Sequence, residues 1–214
     1  MLAAASGNRA LVRELLVAGG DTELTDNYGL TAWHGALGRA VQDKEYASEL
    51  FPQVNELLAP SSVSIKADDR LIKIDSSQGE FLLFHIFFAA LHQRINYQKY
   101  YLVPLTAVEL AEIAAALPDS VIPDYRKKRA YISALLSKNE IGSTNMYCKK
   151  LFRRKRTGHY ILNPKLAIRM KEKWIDIYRQ ANTDLMSGIG SESGPSFQFI
   201  IQSLFSDTDS DPYF

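Results

Sequence analysis

Between Phe81 and Leu91 the chain reads FLLFHIFFAAL, and His85 is the only polar residue in the run. A helix this apolar on every side has no face to offer to water, so it must lie at the centre of a fold with other elements packed around it. The run is too short to cross a bilayer, which takes about 20 apolar residues, so no membrane partner is expected. His85 and His92 lie seven apart, on one helical face, but no further Asp, Glu or Cys is visibly placed to complete a metal site. A histidine at the edge of a core helix is the favoured reading, and no metal or other cofactor is expected. With 46% of its 214 residues hydrophobic, the chain can bury one or two ordinary cores. Its one cysteine, Cys148, excludes a disulfide framework or a cysteine-rich zinc site. With no charged-then-apolar leader, a reducing, cytoplasmic or nuclear setting is expected.

What surrounds that helix differs on its two sides. In the stretch AAASGNRALVRELLVAGGDTELTD, Ala3, Ala4 and Ala5 are small enough for close helix contact. Gly7-Asn8 makes a turn, Leu11, Val12, Leu15 and Leu16 form an apolar face, and Gly19-Gly20 ends the helix. DNYGLTAWHGALGRA follows, with Asp26, Gly29, Thr31 and His34 at the spacing D-x-x-G-x-T-x-x-H. These residues resemble the end of one ankyrin repeat and the start of the next, over residues 2 to 60. Ala32 and Trp33 stand where that family usually has proline and leucine. A second helix, Tyr46 to Leu58, is predicted with Pro52 in its first turn. The resemblance implies stacked helix pairs that recruit a protein partner. Because such repeats need about three copies to bury their faces, and the chain opens in mid-repeat, the expectation is the C-terminal piece of a longer ankyrin protein.

After residue 60 the pattern changes. VSIKADDRLIKID alternates on both sides of Asp68-Asp69, as two strands joined at a turn do. Thr106, with Glu109 three residues on, predicts a capped helix over 106–117. A second helix is predicted over 125–138, with Arg126, Lys127, Lys128 and Arg129 crowding its first turns and Ile132, Leu135 and Leu136 facing inward. Cations there oppose the helix dipole by a few tenths of a kcal/mol to about 1 each, so their placement calls for an external anion. A hairpin over 147–162 then carries Lys149, Lys150, Arg153, Arg154, Lys155 and Arg156 ahead of a Thr157-Gly158 turn and His159. Charge is segregated accordingly: 122–179 holds sixteen Lys or Arg against four acids, whereas 180–214 holds five acids and no base. That asymmetry points to a polyanion partner.

Helix, helix, turn, basic helix and basic hairpin follow one another in the order of a winged helix-turn-helix domain, which residues 63 to about 170 resemble; TGHYILNP is similar to its wing return strand. The resemblance implies that 125–138 is a recognition helix, with Arg126, Lys127, Lys128, Arg129 and Ser133 facing the major groove or its phosphates. Arg153 to Arg156 become the wing, with Lys149, Lys150 and His159 available to phosphates. Strand alternation would put Arg154 and Arg156 on one face and Arg153 and Lys155 on the other. No nucleotide-binding, zinc-protease or hydrolase motif is present, and His159 has no visible nucleophile or orienting partner, so no enzyme is expected.

The expected fold class is thus mainly α with a small β component: ankyrin helix pairs (1–60), a winged-helix-like α+β basic domain (61–179), and a flexible linker with an acidic and apolar tail (180–214). The expected function is nucleic-acid binding, to DNA in preference to RNA, with protein recruitment through the N-terminal repeats. A non-enzymatic scaffold whose basic face binds an acidic protein is the alternative.

Overall fold

The computed structural model describes residues 1–26, 29–68, 70–97 and 104–178, with 92–97 as backbone only. The His92 and Tyr97 side chains, Tyr100, Tyr101, Arg179 and the tail 180–214 lie outside the described residues. Four helices form an N-terminal layer: α1 (Leu2–Ala5), α2 (Arg9–Val17), α3 (Ala32–Gln42) and α4 (Phe51–Leu58). A π-helical turn, Tyr46–Leu50, leads into α4, and Pro52 sits in the first turn of α4, where its missing N–H costs nothing. Asn8 caps α2 by accepting from the Leu11 N–H. Thr31 caps α3, and His34 Nδ1 accepts from the Thr31 N–H in return, so an imidazole takes the usual place of Glu or Gln in a capping box. Gly7 turns the chain from α1 into α2 at φ +75°, where an added Cβ would lie 2.7 Å from Leu50 Cβ. Only glycine meets both demands.

Two antiparallel sheets make the fold α+β. β1 (Ser62–Ala67) and β2 (Arg70–Asp75) form the expected hairpin. β3 (Leu105–Thr106) precedes a later hairpin of β4 (Phe152–Arg156) and β5 (His159–Leu162). Two further strands, β6 (Leu166–Met170) and β7 (Lys173–Asp176), were not anticipated, although Leu166, Ile168 and Met170 alternate. The strand orders are β2-β1-β6-β7 and β3-β5-β4. In the first sheet Ile65 stands between Ile72 and Ile168, and Ile65, Ile74, Leu166 and Ile168 are buried.

The apolar helix, α5 (Gly79–Tyr97), is central as its composition demands, with Phe81 and every residue from Leu83 to Leu91 buried. On one side it meets α3, where Trp33 lies 6.0 Å from Phe81. On the other it meets the second sheet, where Phe87 lies 5.1 Å from Phe152. The boundary expected near residue 60 therefore falls inside one hydrophobic cluster that includes residues from both sides of it. A histidine pair sits at that seam. His34 Nδ1 accepts from Thr31, so the His34 proton is on Nε2 and donates to His85 Nδ1 at 3.0 Å. The His85 proton is then on Nε2, which has no hydrogen-bond partner and lies among Trp33, Phe81 and Phe84. Burial, reinforced by His34, holds the His85 pKa well below the usual imidazole value.

α6 (Ala107–Ala116) starts at Thr106 with the expected capping box to Glu109. The helix expected over 125–138 is two helices, α7 (Asp124–Lys127) and α8 (Arg129–Lys138). They are separated at Lys128, whose ψ of 130° is extended and whose carbonyl accepts the Ile132 N–H.

Candidate nucleic-acid interface

The hairpin β4–β5 stands on an apolar base: Phe152, Tyr160, Ile161 and Leu162 are buried, while Arg154, Lys155, Arg156 and the turn are exposed. Gly158 closes the turn at φ +75°. The register pairs Arg154 with Tyr160 and Arg156 with His159, so Lys155 is an extra residue in β4, a bulge. Tyr160 and His159 are consecutive in β5 and point to opposite faces, and directly paired residues share a face. Arg154 and Arg156 therefore lie on opposite faces, which corrects the alternation expected from the sequence. The side chains agree. The Arg154 guanidinium lies over the Tyr160 ring at 5.3 Å, whereas Arg156 Nη2 donates to His159 Nε2 at 3.4 Å. His159 Nδ1 donates to the Thr157 carbonyl at 2.9 Å, which leaves Nε2 as the acceptor that Arg156 requires.

Several of the expected contact residues are engaged by the protein itself. Arg154 reaches Glu140 at 2.7 Å. Lys127 pairs with Asp119 at 2.6 Å, and its side chain is only 14% exposed. Arg126 donates to the Ser77 carbonyl at 2.8 Å and lies over the Tyr125 ring. Lys150 is 3.5 Å from Asp68. Lys149 is 3.1 Å from Glu80, a buried carboxylate that also meets Lys138 and Asn139. Burial raises the pKa of Glu80, but its own backbone N–H and the cations Lys149 and Lys138 outweigh burial and hold it below the usual carboxylate range.

The break at Lys128 alters the dipole argument. Arg126 and Lys127 lie in the last turn of α7, where cations are favoured, so only Lys128 and Arg129 stand at the start of α8. Lys128, at 3.9 Å from Asp124, remains exposed, as do Arg129 and Ser133. The exposed members of the expected set thus fall in two groups: Lys128, Arg129 and Ser133 on α8 and its cap, and Arg154, Lys155 and Arg156 on the hairpin, of which Arg154 is paired with Glu140. Arg153 is half-buried.

The residues that organise this region without having been anticipated are Glu140, Asp68, Asn163 and Lys165. Asn163 is 1% exposed; its Nδ2 donates to the Lys150 carbonyl and its Oδ1 accepts from the Lys165 N–H. No spacing rule links Asp68 to Lys150 and Lys165 across some eighty to a hundred residues, so only the fold brings them together. Among the described residues no three His, Cys, Asp or Glu are grouped to hold a metal, and no helix is long and apolar enough to cross a membrane. Set against known proteins, the chain matched no family profile, no curated protein and no solved structure.

Proposed function

We propose that this chain is a nucleic-acid-binding regulatory module that acts on duplex DNA in preference to RNA, by binding and without catalysis. In this reading residues 61–179 work as a winged helix-turn-helix-like unit, with α8 entering a groove and β4–β5 lying along phosphates. The N-terminal helices, read as ankyrin-like repeats, recruit a protein. Support comes from β3, which leads directly into α6 and is hydrogen-bonded to β5. Helix pair and hairpin are thereby tied together, and a helix and a ribbon can meet one duplex only if their relation is fixed.

The observation that carries the reading is where exposed positive charge stands: Arg129 at the start of α8, with no acid in its first turn, and Lys155 and Arg156 beyond the buried base of the hairpin. Lys128 and Ser133 lie beside Arg129, and Arg153 and His159 lie below the tip. Arg126, Lys127, Lys149, Lys150 and Arg154, held by internal partners, add to the positive field. The setting consistent with this function is cytoplasmic or nuclear.

The test is fluorescence anisotropy with a mixed-sequence duplex of about 30 base pairs, between about 50 and 200 mM salt. Duplex binding with a steep salt slope is expected, and the slope should flatten in a protein with Arg129, Lys155 and Arg156 changed to Ala. An absence of duplex binding at low salt would remove this reading. A protein scaffold is the second reading. It is favoured by the apolar strip on α2, where Leu11 is 42%, Leu15 49% and Val17 83% exposed.

A further inference from the structure

Beyond the hairpin tip, four stretches of chain converge on a cleft of about 360 Å³: the β1–β2 turn, residues 140–142 after α8, β4, and the β5–β6 connection. Its lining includes Asp68, Glu140, Gly142, Arg154, Asn163 and Lys165. Two carboxylates of the lining meet two of its cations, Arg154 and Lys165, and a third, Lys150, that is not part of the lining but pairs with Asp68. Glu140 Oε2 lies 2.7 Å from Arg154 Nη2, while Asp68 is shared between Lys150 at 3.5 Å and Lys165 at 3.8 Å. The Arg154 guanidinium and the backbone of both lysines are held in place before any ligand arrives. Arg154 is fixed over the Tyr160 ring, and the buried amide of Asn163 bonds the backbone of both Lys150 and Lys165. Lys150 and Asp68 are themselves turned by positive-φ backbones, at 51° and 44°.

A guanidinium fork with two flanking ammonium groups is the donor set that suits a phosphate: a backbone phosphodiester brings two charged non-bridging oxygens, and a free phosphate adds a further oxygen and a second charge. We propose that this cleft binds a phosphate group, with Arg154 as its fork and Lys150 and Lys165 as flanking charges. Glu140 and Asp68 occupy the phosphate oxygen positions until they are displaced. The two carboxylates are tethered competitors, present at high effective concentration, so they weaken adventitious anion binding and set a threshold that a multiply contacting ligand overcomes. The phosphate can come from a nucleic-acid backbone or from a free anion. The backbone source rests on the nucleic-acid reading above, and the free-anion source does not.

The experiment has two arms. In the first, duplex affinity is measured for the intact chain and for Glu140→Gln, Arg154→Ala and the double variant. Glu140→Gln is expected to tighten binding about 3- to 10-fold and Arg154→Ala to weaken it, and the gain from Glu140→Gln should vanish in the double variant. In the second, inorganic phosphate is titrated against ¹⁵N-labelled protein. Shifts centred on the amides of Gly142, Arg154 and Lys165, larger in Glu140→Gln, are expected. Unchanged or weaker duplex binding in Glu140→Gln overturns the backbone source, even where the intact chain binds DNA. An absence of localised phosphate shifts in both proteins overturns the free-anion source, and failure of both arms removes the site. If no variant binds duplex, the nucleic-acid reading fails and the phosphate titration alone decides. Asp68→Asn, which frees Lys150 and Lys165, provides an independent gain-of-affinity variant if Glu140→Gln fails to fold.

Discussion

At the scale of single residues, His85 carries the clearest consequence. Its ring is 1% exposed, its Nε2 has no hydrogen-bond partner, and burial holds its pKa well below 6.5. The unfolded chain, with an ordinary imidazole, binds more protons than the folded chain once the pH falls below that value. Stability is therefore level above about pH 6.5 and declines below it, by up to about 1.4 kcal/mol per pH unit for one group. Urea unfolding between about pH 8 and 5 measures this slope. In His85→Phe the slope should flatten; an unchanged slope would place the acid sensitivity elsewhere. Residue identity was less informative at the hairpin. The cations were visible in the sequence, but a bulge at Lys155 put Arg154 and Arg156 on opposite faces, and no residue type announces a bulge in advance.

At the scale of elements, Glu80 shows how helices are fastened together. It lies in the first turn of α5, where a carboxylate favours the dipole, and is 5% exposed. It holds Lys138 at the end of α8, the Asn139 amide and Lys149. Glu80→Ala would leave those groups without their acceptor and is expected to cost about 3 kcal/mol, read as a lower denaturant midpoint. Lys149→Ala should cost clearly less, because its side chain reaches solvent and Lys138 remains. Capping boxes at Thr106 and the hairpin at 62–75 were legible because their determinants lie within a few residues. The split of 124–138 into α7 and α8 was not, since no Pro or Gly marks Lys128; the pairs Arg126–Ser77 and Lys127–Asp119 that accompany it come from other parts of the chain.

At the scale of the whole molecule, the N-terminal helices and the later sheets share one core around α5. Trp33 and Trp174 provide a test: Trp33 is 2% exposed against α5, and Trp174, 41% exposed, lies in β7. Single-tryptophan variants, Trp33→Phe and Trp174→Phe, should report the same denaturant midpoint as far-UV circular dichroism, because removing α3 would expose Phe81 and Phe88. Two separate transitions would show that the N-terminal helices fold independently of the rest.

The sequence by itself determined the elements whose information is local. It marked a helix too apolar to be anywhere but the centre, the helix cap at Thr106, a strand pair set by alternation, and a concentration of cations in 122–179. It placed His85 at the edge of that core helix, whereas the structure buries it to 1% exposure. Only the tertiary structure decided which cations remain exposed and which are held by Asp68, Glu80, Asp119 and Glu140. It likewise decided that β6 and β7 complete the first sheet and that residues on either side of position 60 share a core. The physical reason is that capping and alternation act over a turn or a strand, whereas ion pairs and strand order depend on which distant segments the burial of α5 brings together.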